Sequence, residues 1–329
     1  MVVLAIESSC DETAAAVIVG GEKTLSSVVS SQIQVHRKYG GVVPELASRK
    51  HIEAIIPVIN EALGKAGITL EHVEGIAVTN GPGLIGSLLV GLSVAKAIAY
   101  ARNLPFVGVN HVEGHLSAIF LENPRLRFPF IGLVVSGGHT CLYRVDHLGS
   151  YKWLGGTRDD AAGEAFDKVA KLLNLGYPGG PVIDEVARNG DPQAISFPRA
   201  FISKDSFDFS FSGIKTSVLH YVREHPQDRV EDIAASFQEA VVDVLVSKAV
   251  QAARSLDLPR IVLSGGVASN TRLRTRFQEI AEKEGLDMNV PSPILCTDNA
   301  AMIGVIGHYY LERGRRSPLT LNAFSNLPI

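Results

Sequence analysis

The chain is 329 residues long, with 46% hydrophobic and 20% charged residues, a globular composition that excludes a fibrous or disordered polymer and suits about two domains. Its formal net charge of −3 exerts no overall pull on nucleic acid, so any RNA partner must be held by local patches. Cys10, Cys141 and Cys296 include no C-x-x-C pair, which excludes a disulfide framework and a thiolate zinc site and favours a reducing cytoplasm.

In chain order, the N-terminus reads MVVLAIESSCDE. Acids arrive too early and no basic segment leads an apolar core, so it is not a secretory signal, and the mature protein is expected to start here. Residues 2–20 predict a strand, a polar turn from Ser8 to Thr13 and a second strand. Residues 45–65 carry helical periodicity. VEGIAVTNGPG at 73–83 reads as a strand running into a Gly-rich turn, and GLIGSLLVGLSVAKAIAYA at 83–101 as a helix nearly long enough to span a bilayer. Lys96 inside it and the close flanking strands assign it instead to a buried core or an interface, with no membrane involved. GPGLIG at 81–86 satisfies G-x-G-x-x-G, yet PFVGVN ends in Asn110 where a ribose-binding acid is needed, so a dinucleotide is set aside.

NHVEGHLSA at 110–118 places His111 and His115 four residues apart. On a helix they lie on one face, about 40° apart, and both imidazoles can reach one ion. An H-E-x-x-H protease needs its Glu directly after the first His. Val112 stands there, and Glu113 points about 180° away from the mean direction of the histidines. The spacing therefore supports a metal clamp rather than a protease base. The best third ligand is Asp298 of CTDNAAMIG, whose place at the start of an apolar helix suits an N-cap equally well. Two His and one carboxylate suit zinc or ferrous iron.

FIGLVVSGGHTCLYRVDHLG at 130–149 repeats the plan of residues 2–20, and PRIVLSGGVASN at 259–270 repeats the strand–turn–helix plan of 73–83. Helical signals also mark 160–174, 229–255, 269–284 and 299–313. The chain is α/β and internally duplicated. The lobe boundary falls near ENPRLRFP at 122–129, giving a first lobe of 1–126, to which 299–329 returns, and a second lobe of 127–298 with a helical insertion. The bare backbone of the Ser-Gly-Gly turns suits phosphate oxygens. Asp167 and Asp184, flanking Gly179 and Gly180, are either solvated helix acids or ribose ligands. Arg272, Arg274 and Arg276, and a second cluster of Arg313, Arg315 and Arg316, read as solvated faces by default, with phosphate contact as the alternative.

ESSCDET (7–13), NHVEGH (110–115), SGGHT (136–140), GEAFDK (163–168), GYPGGP (176–181), SGGVASN (264–270) and CTDNAAMIG (296–304) together resemble the tRNA N6-adenosine threonylcarbamoyltransferase family of the bacterial TsaD type. The resemblance implies an actin-like (ASKHA) duplicated two-lobed fold with a nucleotide-binding interlobe cleft. It implies transfer of threonylcarbamoyl from threonylcarbamoyl-AMP to N6 of the adenosine 3′ of the anticodon, forming t6A in tRNAs that read codons beginning with A. Carried onto this chain, His111, His115 and Asp298 hold one iron or zinc ion per subunit, and Val134, Val135, Ser136, Gly137, Gly138, Asp167, Gly180, Asp184 and Asn270 meet the adenylate. The implied partners are tRNA, an inactive TsaB-like paralogue on the 84–101 helix and a small TsaE-like ATPase, all in the cytoplasm. Asp11 and Glu12 are this reading's candidates for assisting proton removal. ESSCDET departs from the Asp-Gly-Thr pattern of the ATPases of the wider superfamily, which argues against ATP hydrolysis as the main activity. The rival readings are a metal-dependent glycoprotein endopeptidase and a non-enzymatic nucleotide-binding scaffold.

Overall fold

A computed structural model describes residues 1–200 and 206–329. The chain divides into two compact units, Met1–Leu126 with Asp298–Ile329, and Arg127–Thr297. Asp298 is thus the first residue of the segment that returns to the first unit.

The first unit contains β1 (Val2–Glu7), β2 (Glu12–Val19), β3 (Lys23–Ser31), a short α1 (Ile33–His36), α2 (Pro44–Ala66), β4 (Gly75–Gly81), α3 (Ile85–Arg102), β5 (Phe106–Asn110) and α4 (His111–Ser117). Its sheet order is β3-β2-β1-β4-β5. β1 pairs antiparallel with β2 and parallel with β4. The near-continuous apolar runs of β1 and β4 follow from that central place, because both faces of the sheet are covered. On one face Leu4, Ile6 and Val78 pack against Ile55 and Ile59 of α2 and Leu88 and Leu92 of α3.

Lys96, the lone charge in apolar α3, donates through Nζ to the carbonyl of Leu321 in the C-terminal segment. α3 buries only a third of its apolar window, and Ile85 and Leu89 are exposed. It is therefore a half-covered helix with one apolar stripe unpartnered, and not a core helix.

The second unit contains β6 (Phe130–Val135), β7 (Thr140–His147), β8 (Ser150–Gly156), α5 (Ala162–Leu172), α6 (Gly179–Ala187), α7 (Ser212–Glu224), α8 (Val230–Ser255), β9 (Arg260–Ser264), α9 (Thr271–Glu284), β10 (Asp287–Asn289) and a short α10 (Pro293–Cys296). Its sheet order is β10-β9-β6-β7-β8. β6 pairs antiparallel with β7 and parallel with β9. Strand for strand, β1, β2 and β4 correspond to β6, β7 and β9, so the two sheets are copies of one topology. The core centres on α8, where Phe237 meets Phe166 of α5 edge to face with ring centroids 5.2 Å apart.

The chain then returns as α11 (Ala300–Glu312), which lies across β1, β2 and β4 of the first sheet. The approach is close because the helix presents glycine. A Cβ on Gly304 would stand 2.4 Å from Ile18 Cγ1, and one on Gly307 would stand 2.2 Å from the Cβ of Ala77. Small residues on the strand face, Ala5 and Ala77 among them, complete the fit.

Candidate metal centre and nucleotide-binding turns

β5 ends at Asn110, and the chain turns directly into α4. Asn110 caps that helix, its Oδ1 accepting the Val112 N–H at 2.8 Å, while its Nδ2 donates to the Leu327 carbonyl at 2.7 Å. His111 and His115 therefore rise from a capped helix at the C-terminal end of an edge strand, where sites of α/β proteins gather. Asp298 lies just before α11, whose cap is Asn299, accepting the Met302 N–H at 3.0 Å. The N-cap alternative for Asp298 is thus corrected: its neighbour takes that role, and its carboxylate turns to the histidines. His111 Nε2 and His115 Nε2 lie 3.5 Å and 3.2 Å from Asp298 Oδ1, and one donor atom from each residue falls within 4.8 Å of the others.

The donor set fits a divalent ion. His115 is fully buried, its Nε2 lies 3.2 Å from Asp298 Oδ1, and neither ring nitrogen makes a hydrogen bond of good geometry. Burying an imidazole without a hydrogen bond costs a few kcal/mol, and a metal ligand bond accounts for that arrangement. Burial pushes the His115 pKa below its ordinary value, and the His111 charge acts in the same direction, which keeps the ring in its neutral, ligating form.

His111 is held from behind. Its Nδ1 lies 3.0 Å from Glu7 Oε2 and 3.1 Å from Ser9 Oγ. Glu7 is fully buried at the end of β1, and also accepts from Thr79 Oγ1 at 2.6 Å and from the Ser9 N–H at 2.5 Å. Burial disfavours the Glu7 charge, but the charge and hydrogen bond of His111 outweigh it and lower the carboxyl pKa. Conversely, burial pushes His111 down, while Asp298 and Glu7 together raise it to about 9. A carboxylate on Nδ1 leaves Nε2 to face Asp298, the tautomer a metal needs. Sequence reading missed Glu7; the signal was an acid ending an otherwise apolar strand.

Glu113 points away from this cluster, as its spacing predicts. Its Oε1 accepts the Tyr310 O–H at 2.5 Å, joining α4 to α11. Ser117 Oγ donates to the Met302 carbonyl at 3.0 Å, and Gly114 admits Met302 and Ile303. The two ligand-bearing segments are thus locked together, and Glu113 is structural.

Asp11 and Glu12 lie at the start of β2. Glu12 Oε1 accepts from Ser31 Oγ at 3.0 Å. Burial, followed by the charges of Asp11 and Asp298, pushes the Glu12 carboxyl up to about 10. The raised value disfavours Glu12 as a proton acceptor and favours its proton-bearing form.

The second unit gathers the glycine-rich turns. The Ser136 N–H donates to the His139 carbonyl at 2.7 Å, and a Cβ on Gly137, Gly138 or Gly180 would meet nothing within 4 Å. Gly163 packs on Ser136 and Gly137, Gly179 on Asp167, and Gly265 on Val135. Asp167 Oδ1 accepts the Gly179 N–H at 2.7 Å. Asp184 accepts from Thr271 Oγ1 at 2.8 Å. The structure therefore brings Ser136–Gly138, Asp167, Gly180, Asp184 and Asn270 into one neighbourhood. Val134 and Val135 bury their side chains completely and offer only backbone. Asn270 spends both ends of its amide internally, capping α9 at Leu273 and donating to Gln238 Oε1 at 2.7 Å. Arg272 and Arg276 are likewise committed, to Glu239 and Glu279, and Arg274 donates to the Ala268 and Pro291 carbonyls.

Two copies of one five-stranded topology define a protein of the actin-like class. Solved structures agree on the fold. A phosphate- and nucleotide-bound HypF superposes with a TM-score of 0.67 at 16% identity, covering 96% of this chain and 47% of that one. Component A of the (R)-2-hydroxyglutaryl-CoA dehydratase of Acidaminococcus fermentans gives 0.58 at 14% identity, covering 96% and 100%.

Sequence comparison is narrower. Residues 23–305 match the family model for TsaD, the tRNA N6-adenosine threonylcarbamoyltransferase. Proteins of that name from Syntrophus aciditrophicus and Clostridioides difficile are 60% and 56% identical, each covering 100% of this chain and 98% of the relative. The chain belongs to the tRNA N6-adenosine threonylcarbamoyltransferase family. It is a tRNA-modifying acyltransferase that forms t6A.

Proposed function

We propose that the threonylcarbamoyl group passes from threonylcarbamoyl-AMP to N6 of the adenosine 3′ of the anticodon, with one iron or zinc ion held by His111, His115 and Asp298. The single observation that carries the metal assignment is His115, wholly buried with both ring nitrogens lacking a hydrogen bond of good geometry. When bound, the ion supplies Lewis-acid stabilisation of developing oxygen charge.

The remaining chemistry falls to the chain's own groups. The backbone N–H groups of the exposed Gly137 and Gly138 receive phosphate oxygens of the adenylate, and Asp167, Gly180 and Asp184 border the nucleoside. Adenine N6 attacks the carbamoyl carbon, the carbon–oxygen bond to phosphate breaks, AMP departs and N6 loses a proton. Because adenine N6 is a weak nucleophile, positioning contributes much of the acceleration. Asp11 is the proton acceptor, and Glu12, protonated with its pKa near 10, donates a hydrogen bond beside it.

Apolar Ile85 and Leu89 of α3, with Ile52 and Ile56 of the adjoining α2, are exposed and suit a TsaB-like paralogue; a TsaE-like ATPase completes the assembly in the cytoplasm. The test supplies threonylcarbamoyl-AMP, unmodified tRNA and those partners, and counts modified nucleoside by mass spectrometry. His111→Ala, His115→Ala and Asp298→Ala are expected to fold and lose transfer. Full transfer by metal-stripped protein overturns the reading.

A further inference from the structure

We infer that Arg313, Arg315 and Arg316, at the C-terminal end of α11, form a contact surface for the phosphate backbone of the tRNA, separate from the reacting nucleoside. The inference rests on the tRNA-modifying activity.

Many arginines are neutralised on the protein itself: Arg49 by Glu45, Arg144 by Asp146, Arg158 by Asp208, Arg199 by Asp243 and Arg272 by Glu239. The cluster at 313–316 differs. All three side chains are exposed, and among the described residues none of them has a carboxylate within ion-pair distance. The nearest acid in sequence, Glu312, lies 3.5 Å from His308.

Two of the three are pre-oriented. The Arg313 guanidinium sits 3.7 Å from the Tyr309 ring centroid, and that of Arg315 sits 4.0 Å from the Tyr310 ring. Stacking on an aromatic face orients the planar fork; Arg313 spends one donor on the Tyr309 carbonyl at 3.4 Å and keeps the other donors of its fork. Those donors match phosphate oxygens in geometry and charge.

A helix C-terminus favours cations through its dipole, which accounts for Arg313. It does not account for Arg315 and Arg316, which follow the left-handed turn at Gly314 with φ of 75°. Three like charges within four residues repel one another unless an anion joins them.

The patch is also within reach of the site. The Ser317 N–H donates to the Phe106 carbonyl at 2.8 Å, at the start of β5, whereas His111 follows the last residue of that strand. Patch and metal ligands therefore lie at opposite ends of β5 and of α11, about 15–20 Å apart along the backbone. The anticodon arm of a tRNA is longer than this, so one RNA can present its adenosine at one end and backbone phosphates at the other.

The test measures binding of unmodified tRNA to the full chain across a salt series, and KM and kcat for tRNA in the assembled reaction. Arg313→Gln with Arg316→Gln is the cleanest variant, because Arg315 covers Tyr310, the partner of Glu113. About tenfold weaker binding is expected, with the log–log salt slope shallower by about 1–2, a raised KM for tRNA and an unchanged kcat. Arg49→Gln, which removes an ion-paired arginine, is expected to bind normally. An unchanged affinity and slope in the double variant overturns the inference, as does an equal loss in Arg49→Gln. Intact RNA binding with impaired turnover also overturns it, and assigns the patch to a protein partner. Failure of the wild-type assembly to make t6A is a separate result, read without any variant, and refutes the activity instead.

Discussion

At the scale of single residues, Glu7 supports the candidate metal centre from behind His111. It fixes which nitrogen of His111 faces Asp298, and has three donors directed at a carboxylate with no exposed surface. Glu7→Ala is expected to lower cobalt or zinc affinity about 10–100-fold, measured by competition titration, while the three ligands stay in place. The neighbouring acids separate by charge state. Since Glu12 is already neutral with a pKa near 10, Glu12→Gln is expected to keep most of the transfer rate, whereas Asp11→Asn loses about 10²-fold or more; quantifying t6A under single-turnover conditions distinguishes them. Equal losses would remove Asp11 from its assigned role. The histidine pair was legible because helical spacing alone puts two imidazoles on one face. Glu7 was not, because its partners Thr79 and His111 lie 72 and 104 positions away, and no local pattern reports such a contact. The raised pKa of Glu12 was hidden in part for the same reason: it depends first on burial and, besides its neighbour Asp11, on Asp298.

At the scale of elements, α4 and α11 act as one plate carrying the ligands, and glycine sets their spacing. A Cβ on Gly114 would meet Ile303 Cδ1 at 2.7 Å, and on Gly307 the rigid Cβ of Ala77 at 2.2 Å. Gly307→Ala is expected to destabilise the fold by about 1–3 kcal/mol through overpacking, seen as a lowered denaturation midpoint. α2 is tied to the first hairpin by a different device. His51 lies 2.7 Å from Thr13 Oγ1 and 2.9 Å from the Cys10 carbonyl. Burial first, aided by the charge of His36, holds its pKa below 6.5, against the opposing pull of the Cys10 carbonyl, Glu7 and Asp11. The unfolded chain takes up this proton near pH 6.5 and the native protein resists it. The stability contribution is therefore complete above that pH and declines as pH falls through it toward the native value. Urea midpoints are expected to drop between about pH 7.5 and pH 5.5, and to drop less in His51→Gln. The apolar helices α2, α3, α8 and α11 were legible to within a few residues. α7 was not: SGIKTSVLHYVRE buries only Ile214 and Val218, and its start is held by Asp159, a residue 52 positions away that accepts the Phe211 N–H at 2.8 Å.

At the scale of the whole molecule, duplication is what made the fold readable. Two hairpins and two strand–turn–helix units recur in order, and the sheets built on them share one topology. The copies have since been given different chemistry. In the first, the turn after β5 leads into a helix bearing imidazoles. In the second, the turn after β6 is a bare Ser-Gly-Gly. Each set of groups is supported by its own core: the metal ligands by the unit of Met1–Leu126 and Asp298–Ile329, the nucleotide candidates by Arg127–Thr297. Binding of metal and of nucleotide should then fail separately. His115→Ala is expected to abolish metal binding and leave AMP affinity within about twofold, because no group of the second unit loses a partner. Asp184→Asn removes a carboxylate that holds Thr271 Oγ1 at 2.8 Å and is expected to weaken AMP about tenfold at unchanged metal affinity. Calorimetric titration of each variant with each ligand reads all four quantities. Loss of AMP binding in His115→Ala would instead require that the nucleotide be held through the metal, and would transfer the phosphate contacts from the Ser-Gly-Gly turn to the first unit.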